Sequence, residues 1–478
     1  MSVEAIEGLG AAEAVAAARD VLAREGVEAW LVGGTIRDAL LGRPLHDVDL
    51  ALRADAEGPA QALADAVRGP AFTLSESFGA WRVLDRRQGV TFDLTPLQGE
   101  GIEADLAQRE LTMNAMALPL AGGELLDPFG GRADVEARKL RLVDEGALAR
   151  DGLRALRLAR FAAELGFTAE PAAEEAAARH AGRVTEAAPE RIWAELRQLV
   201  TAGGVLEGLA LAERTGVLAR VLPELTDLHS IEQSQYHHLD VYDHTVEVLA
   251  RLLALERDPS AVFGEQAHRL AEVLAEPLAD ELTRGQALRF GALLHDVGKP
   301  ATRGVRPDGR VTFIGHDAKG AEMIREACRR LRASERLATF LGALARHHLV
   351  LGFLVHGRPL SRRDVYRYLR TVDPVEVEVT LLTCADRLAT RGRKAEPAIA
   401  AHLELARELM GPVLDWRAEG PPRSPLGGDE LAREVGIRPG PELGALLSEL
   451  EEAIYAGEAS TREETVELAR RLRRSRTP

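Results

Sequence analysis

Between residues 28 and 143 the hydrophobic period of the chain changes repeatedly. Short strand-like runs (AWLVGG, HDVDLAL, WRVLDRR, VTFDLTPL and KLRLVD) alternate with alanine- and leucine-rich amphipathic segments such as GPAQALADAVRG. This pattern predicts a mixed-sheet α/β unit of about five strands. Beyond residue 146 the strand signals nearly stop, and helical periodicity continues to the end. Turn-rich clusters interrupt it near 201–204 (TAGG), 222–236 and 411–428 (GPV, EGPPRSPLGG). The expected architecture is multidomain: an α/β (mixed-sheet) head over 1–145, then an all-α body. That body divides into a helical neck over 146–230, a second helical domain over 231–395 and a helical tail over 396–478.

Composition narrows the class. Apolar residues at 46% and charged residues at 28% are ordinary for a soluble globular protein. No apolar run approaches the ~18 residues of a membrane span, and the acidic start MSVEAIEGLG is no signal peptide. The two cysteines, Cys328 and Cys384, lack CxxC spacing, which excludes a disulfide framework or zinc ribbon. A cytoplasmic location without a membrane partner is expected. The net charge of −15 argues at first against nucleic acid. Yet Arg138, Lys139, Arg141, Arg150, Arg154, Arg157 and Arg160 crowd one segment, and RRLRRSR stands at 470–476. Such runs also occur as solvated helix faces, so total charge leaves the partner open.

Candidate chemistry begins in WLVGGTIRDALLGRPLHDVDLAL (30–52). On a strand, Asp47 and Asp49 project from one face. Paired carboxylates this close repel unless a cation sits between them, and Mg²⁺ suits oxygen ligands together with substrate phosphates. The turn at Gly33 and Gly34 lets backbone approach a phosphate, the following TIRDALLG offers a helix start, and Arg37 adds positive charge. Together these are the parts for phosphoryl or nucleotidyl transfer. Taken alone, each half is the commoner pattern of a glycine hairpin or of surface aspartates on an edge strand, and it is their combination that points to chemistry.

At this point the sequence resembles the class II tRNA nucleotidyltransferase and bacterial poly(A) polymerase family, whose head carries GG followed by DxD. The resemblance continues in order through ADLAQRELTMNAMAL (104–118), LLDPFGGRADVEARKLRLV (125–143), DGLRALRLARFAAELGF (151–167) and PERIWAEL (189–196). It implies that Asp47 and Asp49 bridge catalytic Mg²⁺, that Arg37 and Arg109 hold the incoming nucleotide, and that Arg157 and Arg160 line its pocket. Asp93, in VTFDLTPL, is either a third carboxylate or a surface or turn residue. Placed on a helix, Asp151 and Arg154 share a face. An aspartate accepts from an exocyclic amine while an arginine donates to ring acceptors, so the pair can mimic a complementary base edge that favours C and A. The competing reading is an i,i+3 ion pair on a solvated helix. Two departures stand out: Arg150-Asp151 where the family has Glu-Asp, which bears on the orientation of Asp151, and Gln108-Arg109-Glu110 where it has Arg-Arg-Asp. The second weakens any contact to a ribose 2′-hydroxyl.

A second constellation lies in YHHLDVYDHTVEVLARL, ALLHDVGKP, FIGHDAKGAEM, ARHHLVL and LLTCADRLAT. The chain has only 13 histidines, and these segments carry His244, His295, His316, His347 and His348 among theirs, beside Asp296 and Asp386. Imidazoles with carboxylates suit a divalent transition ion such as Mn²⁺, Co²⁺ or Ni²⁺. The segments resemble the HD phosphohydrolase superfamily, making 231–395 an HD domain. That resemblance implies His244, His295, Asp296 and Asp386 as core ligands, with His316 and one of His347 and His348 completing a two-metal version. Lys299 is a candidate phosphate contact; a module without metal that only supports RNA is the alternative.

The expected function is template-independent addition of C and A to the tRNA 3′ end from CTP and ATP, with phosphohydrolase activity in the HD domain. CC-adding, A-adding and poly(A)-synthesising enzymes share these motifs. From other classes stand a phosphohydrolase whose head only binds nucleotide, and an RNA-binding protein with both sites degenerate.

Overall fold

The structure is a computed structural model, and it describes residues 8–10, 12–76, 78–232, 239–390 and 395–476. Most of the acidic N-terminal stretch (1–7) and the opening of the YHHLDVYDH segment (236–238) lie outside the described residues. The chain divides into two compact units, Met1–Val221 and Leu222–Pro478, so the expected head and nearly all of the expected neck fall in one unit.

The first unit is built on a six-stranded sheet in the order β3-β4-β5-β2-β1-β6. Its strands are β1 (Ala29–Val32), β2 (Asp47–Leu52), β3 (Ala71–Ser75), β4 (Ala80–Asp85), β5 (Val90–Pro96) and β6 (Ala117–Pro119). The β2–β5 pair is parallel and the other neighbours are antiparallel, so the sheet is mixed as expected. Alternation decides which face is buried. Val48 and Leu50 on β2, with Phe92 and Leu94 on β5, point into a core closed by α1 (Glu13–Arg24) and α2 (Glu57–Val67). Asp47, Asp49 and Asp93 are therefore left on the opposite face.

Two strands escaped the hydrophobic pattern. The edge strand β3 exposes its middle residues, Phe72 and Leu74 included, so it has no buried face to impose a period. At three residues, β6 is too short to show one. Conversely, KLRLVD does not join the head sheet: Lys139–Leu140 pairs in parallel with Thr168–Ala169.

Five helices complete the part of this unit that matters for the site: α3 (Arg154–Leu165), α4 (Pro171–His180), α5 (Pro189–Thr201), α6 (Val205–Arg214) and the short α7 (Leu218–Val221). α6 crosses α3 closely. A Cβ on Gly208 would stand 2.6 Å from Ala163 Cβ and 2.9 Å from the Ala159 carbonyl, so only glycine permits the approach.

The second unit is almost wholly helical. Its principal helices are α8 (Val241–Arg257), α9 (Arg284–Leu294), α10 (His316–Leu331), α11 (Glu335–His347), α12 (Val350–Leu354), α13 (Arg362–Val372), α14 (Glu376–Ala389), α15 (Ala395–Glu419), α16 (Gly428–Val435), α17 (Pro441–Ala456) and α18 (Arg462–Arg476). Side chains fix several starts: Asp240 caps α8, Ser334 caps α11, and Thr283 with Gln286 forms a capping box on α9. The last three helices enclose a hydrophobic cluster of their own around Leu431, Leu446, Leu450 and Ala469.

Contrary to the sequence expectation, Glu335–Gly357 is long and apolar enough by composition to cross a membrane. In the fold it is no single helix, because α11 ends at His347 and α12 starts at Val350. Leu337, Leu341 and Leu344 of this stretch are fully buried within the domain.

Candidate active and metal sites

In the first unit a cleft of about 850 Å³ opens over the uncovered face of the sheet, bringing together all ten head and neck residues singled out from sequence. Parallel register sets Asp49 directly beside Asp93. Asp47 and Asp49 share the open face, and both carboxyls are raised above their ordinary range. For Asp47 the causes are burial and then the nearby charge of Asp93. For Asp49 they are burial, opposed by Arg109 and reinforced by Asp93 and Asp47. Concentrated negative charge without a counter-cation is the environment that a divalent ion relieves. Asp93 is a cleft residue and no turn residue, but its two oxygens are already engaged by Arg82 at 2.7 Å each.

Gly33 takes φ +62, a conformation that L-residues rarely adopt, and a Cβ there would meet Arg109 Nη1 at 2.7 Å. The Gly34 N–H, offered by the sequence to a phosphate, donates here to Asp49 Oδ2 at 3.1 Å. Arg109 is held over this turn by Asp105 (3.0 Å) and by the Asn114 carbonyl (3.3 Å). Arg37 is buried and donates to Asn114 Oδ1 at 2.9 Å and to Asp38. Replacing Gly33 with alanine is expected to cut nucleotide addition at least tenfold, because backbone strain and the clash with Arg109 fall on the same atom. Steady-state rates with unchanged circular dichroism check this; wild-type rates would show the turn to be structural only.

The arginine cluster departs from the sequence expectation in one respect. Helix α3 starts at Arg154, so Asp151 lies before it rather than on it, and the i,i+3 ion pair does not form. Asp151 instead accepts from the Leu153 N–H at 3.0 Å and from Arg191 of α5 at 2.6 Å. The cause is local: with glycine at 152, the aspartate closes a turn onto the backbone N–H two residues on, which competes with helix. Arg154 donates to the carbonyls of Ala147 and Gln108, both at 2.9 Å. Arg150 turns to Asp144 at 2.7 Å and to the Ala107 carbonyl.

Behind them Arg157 pairs with Glu110 at 2.5 Å, Arg160 with Glu195 at 2.6 Å, and the Arg160 guanidinium lies 3.9 Å from the Phe161 ring centre. Burial works against a charged Glu110, but the Arg157 and Arg154 charges outweigh it and hold its carboxyl down at about 2. It therefore stays ionised and keeps Arg157 oriented at neutral pH. Arg191, Glu195 and Asn114 went unnamed in the sequence reading. All three lie inside the quoted PERIWAEL and TMNA segments, yet their partners are distant in sequence, so no local signal marks them.

In the second unit, six ligand candidates gather as two groups, His244, His295 and Asp386, and Asp296, His316 and His348; His244, His316 and Asp386 stand on helices, and the other three just past the ends of α9 and α11. His244 Nε2 is 2.9 Å from Asp386, His316 Nε2 is 3.4 Å from Asp296, and His316 and His348 approach within 3.3 Å through their Nε2 atoms. His295, His316 and His348 each turn Nδ1 onto a carbonyl three residues back (Ala292, Phe313 and Ala345), fixing the tautomer that leaves Nε2 for a metal. Burial, then the neighbouring His295 charge, pushes the His348 imidazole down to about 4, so it is neutral as a ligand must be.

His295 Nε2 and Asp296 Oδ1 are buried without a well-formed hydrogen bond, meeting each other's residue and His316 at 3.1 and 3.4 Å, a crowding of ligand atoms that a shared cation would relieve. The donor set therefore fits divalent metal. Of the two adjacent histidines, His348 belongs to this group; His347 does not. Lys299 contacts Asp296 at 2.6 Å.

Comparison with known proteins places these sites in context. Residues 29–141 match the family described as the poly A polymerase head domain. Residues 166–228 match the "Probable RNA and SrmB- binding site of polymerase A", and residues 241–391 match the HD domain. An A-adding tRNA nucleotidyltransferase of Deinococcus radiodurans is 38% identical over 442 residues, covering 91% of this chain and 93% of its own. A CC-adding tRNA nucleotidyltransferase of Thermus thermophilus is 34% identical over 445 residues, covering 91% and 92%. Among solved structures, a complex of a CCA-adding enzyme with CTP shares the fold at a TM-score of 0.64 and 19% identity, covering 96% of this chain and 95% of that one.

Proposed function

Because this chain belongs to the family of tRNA nucleotidyltransferases and poly(A) polymerases, we propose that it adds C and A, without a template, to the 3′ end of tRNA from CTP and ATP. The observation that carries this reading is the cleft itself: two carboxylates, a Cβ-free turn and a cluster of arginines converge on one face of one sheet. Asp47 and Asp49 would hold Mg²⁺, which when bound assists deprotonation of the ribose hydroxyl and neutralises charge on departing pyrophosphate. Arg109, braced by Asp105 over Gly33, is positioned to contact a triphosphate lying along the turn. Arg37, braced by Asn114, adds a second guanidinium.

Base choice falls to Asp151 and Arg154. With Asp151 anchored by Arg191, its carboxylate keeps lone pairs for an exocyclic amine, which C and A present beside a ring acceptor. U and G would leave it unpaired, at about 1–3 kcal/mol. Arg154→Ala is expected to lose discrimination among the four nucleotides before it loses activity, since the carboxylates are untouched. Wild-type incorporation ratios in that variant would reduce the residue to a brace between Ala147 and Gln108.

The test of the reading is incubation of the purified protein with tRNA lacking its 3′ CCA, each nucleotide being given singly and together. Sequential C, C and A incorporation supports it. Incorporation of CTP alone or ATP alone would make the enzyme CC-adding or A-adding, and no incorporation overturns it. On this reading the protein works in the cytoplasm, where tRNA, CTP and ATP occur together.

A second reading concerns the HD domain: a phosphohydrolase using Mn²⁺, Co²⁺ or Ni²⁺, acting on 2′,3′-cyclic or terminal phosphates of RNA. The two adjoining groups of buried imidazoles and carboxylates, with Asp296 in contact with both, support it. A metal held there would activate water, while Lys299 beside Asp296 could steady the phosphate.

A further inference from the structure

Within the second unit, a pocket of about 510 Å³ opens between α13, α15 and α17; it shares no lining residue with the histidine cluster, and only its α13 wall falls within the HD match. We propose that it seats one nucleotide of the RNA substrate: the ring against Tyr455, a phosphate on Arg362 and an exocyclic amine on Glu419. The choice of RNA as occupant rests on the transfer reading above.

Three features carry the assignment. Tyr366, Trp416 and Tyr455 pack edge-on and tilted against one another, with ring centres 5.6–6.2 Å apart. Tyr366 and Trp416 are buried, which makes the wall rigid, whereas Tyr455 is half-buried and lines the opening. A rigid aromatic wall with one accessible ring is a stacking platform, which takes any base.

The charges on the pocket are selective. Along the same helix Arg363 is engaged by Glu452 and Glu458, and Arg367 by Glu452. Arg362 has no carboxylate partner among the described residues, and its guanidinium lies 5.6 Å from the Tyr455 ring centre. An unneutralised guanidinium beside an aromatic ring suits a phosphate next to a stacked base. Across the pocket Asp415 is paired with Arg269, while Glu419 has no cation among the described residues. One uncompensated cation and one uncompensated anion lining the same pocket as the ring match phosphate and amine in one nucleotide.

The room comes from the backbone. Pro412 stands inside α15 on the pocket wall, where it removes a helical N–H. Gly420, at φ +77, ends the helix there.

The experiment measures binding of a tRNA transcript lacking CCA, by filter retention at fixed salt, alongside KM for CTP and ATP. Tyr455→Leu and Arg362→Gln are each expected to weaken tRNA binding about tenfold, the scale of one lost base stack, without moving the nucleotide KM values. Tyr455→Phe keeps the ring and should bind as wild type, and so should Arg363→Gln, whose charge is already paired. Unchanged tRNA affinity in the first two variants overturns the assignment. So does an equal loss in Arg363→Gln, which would mark a general charge effect. ATP binding lost in Tyr455→Leu with tRNA affinity intact would make this a free-nucleotide site and overturn it as well. Binding is read without catalysis, so a wild type that binds tRNA but adds nothing sinks the transfer reading and leaves this one standing.

Discussion

Asp47→Ala and Asp49→Ala are each expected to abolish nucleotide addition, lowering kcat by about a thousandfold or more. That is the scale on which a preorganised charge acts at a developing transition state. The two side chains lie on the open face of β2, while Val48 and Leu50 on the other face supply the packing. Removing either carboxylate should therefore leave the sheet intact, and losing Asp47 also relieves part of the repulsion that, after burial, raises Asp49. Thermal unfolding should be unchanged or slightly improved, and tRNA binding retained, because the arginines of the neck keep their own partners. Addition assays at saturating Mg²⁺, run beside unfolding and tRNA binding, separate these effects. Near-wild-type incorporation by either variant would remove the pair from catalysis. A loss that tracks unfolding would make it structural.

The parts of the molecule legible in the sequence are those whose signal is local. DVDL declares its shared face by period two, and GG followed by a helix start declares a turn; the structure has both. The histidines and aspartates of the second unit could be named as ligand types because their segments are short and distinctive. Choosing His348 over its neighbour required the end of α11, since adjacent residues leave a helix about 100° apart and only one faces the other imidazoles.

What stayed hidden is non-local. Asp93 could be noticed but not placed until parallel register set it beside Asp49 and Arg82 took both its oxygens. Asp151 was assigned to a helix on spacing, but the turn closed by its own side chain starts the helix three residues later. Arg191 matters only because α5 brings it across forty residues of chain. The departures at positions 110 and 150 are likewise resolved by contacts. Glu110 finds Arg157, and Arg150 turns away to Asp144, leaving Asp151 to Arg191.

In the HD domain, His295→Ala or Asp296→Ala is expected to remove phosphohydrolase activity while sparing nucleotide addition. Asp296 lies among His295 at 3.1 Å, His316 at 3.4 Å and Lys299 at 2.6 Å, so it touches both ligand groups and its loss should empty both. Imidazole-rich donors prefer a softer ion than Mg²⁺, so Mn²⁺, Co²⁺ or Ni²⁺ should stimulate hydrolysis without replacing Mg²⁺ in nucleotide addition. The measurement is hydrolysis of a 2′,3′-cyclic nucleotide across a metal panel, by wild type and both variants. Co²⁺ binding is followed in parallel through its visible absorption, which reports ligation whether or not turnover occurs. His347→Ala serves as the internal control: its ring lies outside both groups, so it should keep metal and activity. Co²⁺ binding in the wild type with no hydrolysis on any metal would leave a metal site without this chemistry. Equal hydrolysis in wild type and His295→Ala would place the reaction elsewhere. Loss of both metal and hydrolysis in the two variants, with nucleotide addition intact, would establish two separable active centres on one chain, one able to clean a damaged 3′ end and the other to rebuild it.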